Sequence, residues 1–350
     1  MPRLTSHFSN TAATLLRAVI AALIAALLLL TVAQQVAKVG PWWLELSRYL
    51  PYPALLGPAL LAATASLWLG WRWWIAGLAA LIAVLVVAMG WAHGRPDVGG
   101  VPLRLMTYNI KAYKASLRPG GFDAIAAEVA VHRPDIVVAQ DAHGASPAEA
   151  APLWPGGQAF GLPYSFAVEQ YIVGSRYPLR GCAPGRIDYR GQAHLYVRCT
   201  VDVGGRPLDL VTAHFESPRD GLNAARREGF EGVDEWRQNF EDRLGQARAL
   251  ARDLTGADRP LVVAGDLNAP ESSAVIRTLL ALDLRDAFSS AGRGYGYSYG
   301  HALRLGFSFL RIDHILVSAR IGVAGVSVGG ASTSEHRPVI ADLLMSDPPP

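Results

Sequence analysis

Charge is what this sequence is short of. Only 17% of its 350 residues are Asp, Glu, Lys or Arg, against 51% hydrophobic. A chain of this length has room for a large domain and accessories, and so apolar a balance directs attention first to membrane segments. Cysteine is scarcer still, with two residues, Cys182 and Cys199. Neither C-x-x-C nor H-E-x-x-H occurs, so a zinc centre is not expected. The phosphate-cradling G-x-x-x-x-G-K-[ST] is missing, which excludes a P-loop, and no nucleophile-elbow serine is expected. There are no internal repeats, and low complexity is confined to the terminal DPPP.

The apolar residues that are present gather at the start. No charged side chain lies between Arg17 and Lys38, between Arg48 and Arg72, or between Arg72 and Arg95. Each run has about 20 residues or more, enough to cross a hydrocarbon core of roughly 30 Å. Three transmembrane helices are therefore expected, over 15–36, 49–70 and 73–93. The first run resembles a signal peptide in length, but the AQQVAK exit is a poor cleavage site and two more runs follow, so retention is expected. Trp42, Trp43, Trp68, Trp71, Trp73, Trp74 and Trp91 lie near the run ends, where indoles favour the headgroup level. Ordinary core packing is the alternative, but their clustering at the run ends favours the headgroup belt.

Orientation is weakly marked. Three spans put Arg3, Arg17 and Arg72 on one side, and Lys38, Arg48 and Arg95 on the other, close to a tie under the positive-inside rule. Cys182 and Cys199 stand nearly equidistant from Arg190–Gly191. A hairpin centred there would bring them face to face, and a disulfide would imply an oxidising compartment; two buried thiols are the alternative. The expectation is a multi-pass protein of the inner (cytoplasmic) membrane with its globular part on the outer, periplasmic or extracellular side. Residues 1–95 carry +5 of the chain's net +3, leaving the remainder at −2. A mildly acidic domain argues against a nucleic-acid substrate, which usually calls for a basic excess.

Gly94–Gly100, GRPDVGG, reads as a linker, so the membrane region is taken as 1–94, the linker as 95–100 and the catalytic domain as 101–346. From Val101 short apolar runs alternate with helical patterns. LRLMTYNI, DIVVAQD, LDLVTAHF, LVVAGDLN and RIDHILVS read as strands, and FDAIAAEVAVH and NFEDRLGQARALARDL as helices. The strands end on polar residues: Asn109, Asp141, His214, Asp266 with Asn268, Asp313, and His336 before the last strand. One such residue makes a turn; six at matched positions suggest a single polar site at one end of a sheet. Hard oxygen donors such as Asp141 and the Asn109 carbonyl suit Mg²⁺. A histidine beside a carboxylate, as Asp313 and His336 would be, suits a general base, and the set suits phosphoester hydrolysis by activated water.

The ordered series MTYNI, DIVVAQD, VTAHFESP, GDLNAP, RIDHILVS and SEHRP resembles the endonuclease/exonuclease/phosphatase superfamily, over residues 101–345. The resemblance implies an α/β four-layer sandwich, with two mixed sheets and helices outside. It also implies that Asn109 and Asp141 hold Mg (or Mn), that Asp313 and His336 form the base pair, and that Asp266 orients the nucleophile or protonates the leaving group. Asn268 would position the phosphate, and His214 would stabilise charge on its oxygens. Two positions depart from the pattern: Asp141 stands where Glu is usual, and Glu335 where Asp is usual. A longer Glu335 reaching the metal would offset the shorter Asp141; a solvent-facing Glu335 is the alternative. Arg176 and Tyr177 match a stretch flanking the site; His301 lies in an aromatic loop that reads as a packed corner, with covering the site as the alternative. His132 and His143 read as surface or loop residues.

The expected function is a membrane-anchored Mg-dependent phosphoesterase, acting on a phosphodiester, a phosphomonoester or a lipid-linked diphosphate at the cell envelope beside the lipid bilayer. A metal-dependent nuclease and a catalytically silent membrane scaffold or sensor are the alternatives.

Overall fold

The computed structural model describes residues 2–37 and 40–346; Lys38 and the DPPP tail lie outside the described residues. The chain divides into two compact units, Met1–Trp91 and Ala92–Pro350.

The first unit is helical, with helices Pro2–Val36, Trp42–Ser47, Pro53–Ser66 and Trp71–Ile82, the last running on as a π-helical segment, Ala83–Ala88. Among the described residues, two stretches are long and apolar enough to cross a membrane, Ala13–Val36 with 24 residues and Trp71–Ala88 with 18. This corrects the expectation of three transmembrane helices. The stretch 49–70 yields a helix of 14 residues, about 21 Å long, short of a roughly 30 Å core. Proline sets its start: Pro51 and Pro53 lack N–H groups and disfavour helix before them. Its end comes before Gly70, whose φ of +110° lies outside the helical region. Trp43, Trp68, Trp71, Trp74 and Trp91 are exposed rather than packed in a core.

Among the described residues, the second unit has fourteen strands. They are β1 (Ala92–His93), β2 (Val101–Asn109), β3 (Ile136–Gln140), β4 (Tyr164–Val168), β5 (Tyr171–Ser175), β6 (Leu179–Arg186) and β7 (Leu195–Val203). There follow β8 (Arg206–His214), β9 (Leu261–Asp266), β10 (Leu284–Asp286), β11 (Arg293–Gly294), β12 (Asp313–Ser318), β13 (Ile321–Val328) and β14 (Val339–Met345). One six-stranded sheet has the order β13-β14-β2-β3-β5-β4, the other β10-β12-β9-β8-β7-β6, and β1 pairs with β11 alone. Each large sheet has a central parallel pair, β2 with β3 and β9 with β8, flanked by antiparallel strands. The expected linker is fastened: Asp97 accepts from Val323 N at 2.9 Å and pairs with Arg285.

Period-2 alternation gives each sheet two apolar faces. Leu105, Val138, Leu210, Val262, Ala264 and Ile315 fill the space between the sheets. The intervening residues face outward: Met106 and Val137 pack with Ile125 and Val129 of helix Gly121–His132. Val263 and Leu316 pack with Phe240, Leu244 and Leu250 of helix Gly232–Leu254. The result is the expected sandwich of helix, sheet, sheet and helix. The hairpin β6–β7 turns at Arg190–Gly191, both with positive φ, and Cys182 and Cys199 are joined in a disulfide across it.

Candidate active site

The inward faces change character along the strands. Below the middle they are aliphatic. Next comes an amide and hydroxyl layer: Gln140 Nε2 donates to Thr107 Oγ1 at 3.1 Å and, across the sheets, to Thr212 Oγ1 at 3.0 Å. One step further, the same parity delivers Asn109, His214, Asp266 and Asp313. The register aligns them, Asn109 beside Gln140, His214 beside Asp266 and Asp266 beside Asp313. Gly265 permits this closeness, since a Cβ there would stand 1.9 Å from Ala213 O.

His336 enters from the loop before β14. Its Nδ1–H donates to Asp313 Oδ2 at 3.0 Å, and its Nε2 stands 3.6 Å from Asp266 Oδ2. Asp266, Asp313 and His336 are all buried, and their ligand atoms lie within 4.8 Å of one another, a set of oxygen and nitrogen donors that fits a divalent cation. Asn109 Nδ2 donates to Asp266 Oδ2 at 2.9 Å, and Asn268 N to Asp266 Oδ1 at 3.0 Å. Burial and repulsion from Asp313 raise the Asp266 carboxyl to about 6, although His336, Lys111 and Asn109 oppose the rise. Burial pulls the His336 imidazole down, but the two carboxylates outweigh it and hold it above its ordinary value. His214 Nδ1–H donates to Gln170 Oε1 at 2.6 Å and its Nε2 stands 3.6 Å from Asp266 Oδ2. Burial and Lys111 bring it down to about 3, so it is a neutral ring.

The remaining expected residues have other partners. Asn268 lies beyond the strand end with φ +50°, and its Nδ2 donates to Phe215 O. Asp141 pairs with Lys111 Nζ at 2.7 Å. Glu335 faces neither solvent nor the trio: Lys114 Nζ holds it at 2.7 Å and Arg219 Nη2 at 3.3 Å. Arg176 sits at the opposite end of the sheet, paired with Asp135. His301 Nε2 meets Ser334 O at 3.0 Å, tying the aromatic loop to the segment before His336.

Several residues went unread in the sequence. Tyr299 lies on the His336 ring, centroids 4.8 Å apart, with its hydroxyl accepting from Arg219. The spacing G-x-S-x-G does occur, at Gly296–Gly300, but in coil rather than at a strand-to-helix elbow. Ser298 there is buried, and its Oγ accepts from Asp313 N at 3.3 Å. His314, facing the other way from Asp313, links Asp286 to Ala269 O behind the site. Lys111 and Arg219 gave no periodic signal, because each projects from a loop or loop-proximal turn.

Residues 106–336 match the model of the endonuclease/exonuclease/phosphatase family. The chain belongs to that family. Its members are metal-dependent hydrolases acting on phosphoester bonds, and this chain is an enzyme of that class. Among solved structures, it is similar to an endonuclease/exonuclease/phosphatase from Beutenbergia cavernae, at 23% identity and a TM-score of 0.51, covering 72% of each chain. It is also similar to the mannosyl-6-phosphatase of Bacteroides thetaiotaomicron, at 14% identity and a TM-score of 0.50, over 69% of this chain and 100% of that one. A third is D. rerio TDP2 in complex with a single-strand DNA product, at 16% identity and a TM-score of 0.52, over 69% of this chain and 98% of that one. At these identities the likeness is one of fold. No curated protein matches the sequence.

Proposed function

We propose that this enzyme is a membrane-anchored phosphoesterase of the cell envelope, hydrolysing a phosphate ester or lipid-linked diphosphate with water activated by His336. The observation that carries this reading is the buried trio: the His336 ring is fixed by Asp313 through Nδ1, which leaves Nε2 as the free acceptor facing Asp266. A water at Nε2 gives its proton there as its oxygen attacks phosphorus. Asp313 stabilises the imidazolium that forms. Asp266, its two oxygens fixed by Asn109 and the Asn268 backbone, orients the attacking water, and the imidazolium passes its proton to the leaving oxygen as the P–O bond breaks. The His214 ring, its Nδ1–H held by Gln170, borders Asp266 in the same pocket.

A divalent cation, Mg²⁺ or Mn²⁺, would offset phosphate charge when bound. Asp266 and Asp313 would hold it, joined by Asp141 and the Asn109 carbonyl if Lys111 gives way. Glu335 takes a different part, anchoring Lys114 and Arg219 beside the site.

Anchoring rests on the two long apolar helices, which would keep the hydrolase at high effective concentration over lipid-linked substrates. The outward placement rests on the Cys182–Cys199 disulfide, since such bonds persist in oxidising compartments. The test is Mg²⁺-dependent release by the full chain in detergent, wild type beside His336→Ala. The substrates are a polyprenyl diphosphate, bis-p-nitrophenyl phosphate and a plasmid. Lipid turnover lost with the substitution and with EDTA supports the proposal. Plasmid cleavage with the same dependence makes the enzyme a nuclease, a reading favoured by the DNA-bound structural neighbour.

A further inference from the structure

Lys111 stands where the site meets its predicted metal carboxylate. Its Nζ lies 2.7 Å from Asp141 Oδ2, and both side chains are 13% exposed. The contact is built by backbone that side chains seldom adopt: Lys111 has φ +47° and Asp141 φ +53°. Conformations of that kind persist where the surroundings over-determine them, and they collect at functional sites. Here the determinants are visible. Asn109 Oδ1 accepts from Lys111 N at 3.1 Å. Lys111 O accepts from Lys114 N and Ala115 N at 2.8 Å each, and Asp141 O accepts from Ala112 N at 2.9 Å. The asparagine expected to hold the metal thus also aims the lysine. The ammonium acts on more than its partner: Asp266, His214 and His336 all feel its charge. Asp141 has further charge neighbours in His214 and His143, but among the described residues Lys111 is the one whose side chain is paired with it.

We propose that Lys111 is a resident cation of the site, holding Asp141 by a tethered ammonium that a divalent ion must displace to reach that carboxylate. The shorter Asp141 then has a partner of its own, the lysine at 2.7 Å. Displaced, the ammonium swings toward bound phosphate, so each metal bound at Asp141 brings a second positive charge to the substrate. This inference rests on the phosphoesterase reading for the substrate alone, because competition for Asp141 is a property of the free enzyme.

Calorimetric titration of the full chain in detergent with Mn²⁺, without substrate, tests it. Lys111→Met should bind Mn²⁺ more tightly by about tenfold or more, and Lys111→Arg should stay within about threefold of wild type. Asp141→Asn added to Lys111→Met should abolish the gain. Unchanged or weaker binding in Lys111→Met overturns the proposal. A gain that survives Asp141→Asn overturns it too, since the lysine would then act by its field alone, and so does a gain in Lys111→Arg equal to that in Lys111→Met. If Lys111→Met does not fold, Lys111→Gln carries the same expectations. Turnover of bis-p-nitrophenyl phosphate is read separately. Competition intact with no turnover on any substrate defeats the phosphoesterase reading and leaves the metal competition standing.

Discussion

Asp266 is 1% exposed and receives donors from Asn109 and the Asn268 backbone, with two histidine nitrogens 3.6 Å away. In the proposed mechanism this carboxylate orients the attacking water, and His336 beside it is the base. His336→Ala should lower kcat/KM by about 10²- to 10⁴-fold, measured on bis-p-nitrophenyl phosphate with saturating Mg²⁺. Far from the site, Asp209 is buried and paired with Arg198 and Arg259. Burial raises its carboxyl, but the arginines outweigh that and hold it below the usual range. A lowered folded value means the stabilisation is complete above the unfolded value near about 4, and is lost as pH falls through the folded one. Asp209→Asn should cost about 1 kcal/mol, well under a fully buried pair because both arginines reach solvent. In urea melts the gap to wild type should be constant above about pH 5 and narrow as pH falls below the unfolded value. At this scale the sequence was legible where a residue ended a strand, because parity fixes the face. Lys111 and Arg219 were not, because neither a left-handed residue nor a helix entry leaves a periodic trace.

Gly265 ties the GDLN motif to strand packing. Its missing Cβ lets β9 lie against β8, so Gly265→Ala should destabilise by more than about 4 kcal/mol or stop folding, read by denaturant melts or by loss of soluble chain. The β6–β7 hairpin is closed by a disulfide spanning 17 residues. Cys182→Ala with Cys199→Ala should cost about 3 kcal/mol by loop-closure entropy, seen as a lower Tm in calorimetry. The long alternating strands could be read from sequence, as could the turn at Arg190–Gly191. The edge strands β4, β6 and β10 and helix Arg219–Glu228 could not. β6 is interrupted by a register shift between Arg180 and Ala183, and the helix is short and rich in charged residues, so neither presents a long apolar run. The 49–70 run shows the opposite failure. Its composition met the requirement for a span, but its prolines left a helix of 14 residues.

Across the whole molecule, a helical unit with two long apolar stretches precedes a sandwich that carries every proposed catalytic residue. Two crossings would return both chain termini to one side of the membrane. With the disulfide they predict that enzyme isolated from cells under thiol-blocking conditions carries no blocked cysteine by mass spectrometry. Labelling of both Cys182 and Cys199 would place the sandwich in a reducing compartment. The sequence by itself determined the family, the sandwich and the strand-end residues, because alternation and motif order are local properties of the chain. Only the tertiary structure decided which of those residues come together and which are paired with a cationic side chain. Asp266, Asp313 and His336 converge from β9, β12 and the loop before β14, while Lys111, Lys114 and Arg219 reach Asp141 and Glu335. Those pairings depend on loop backbone and on contacts between residues distant in sequence, and no spacing along the chain encodes them.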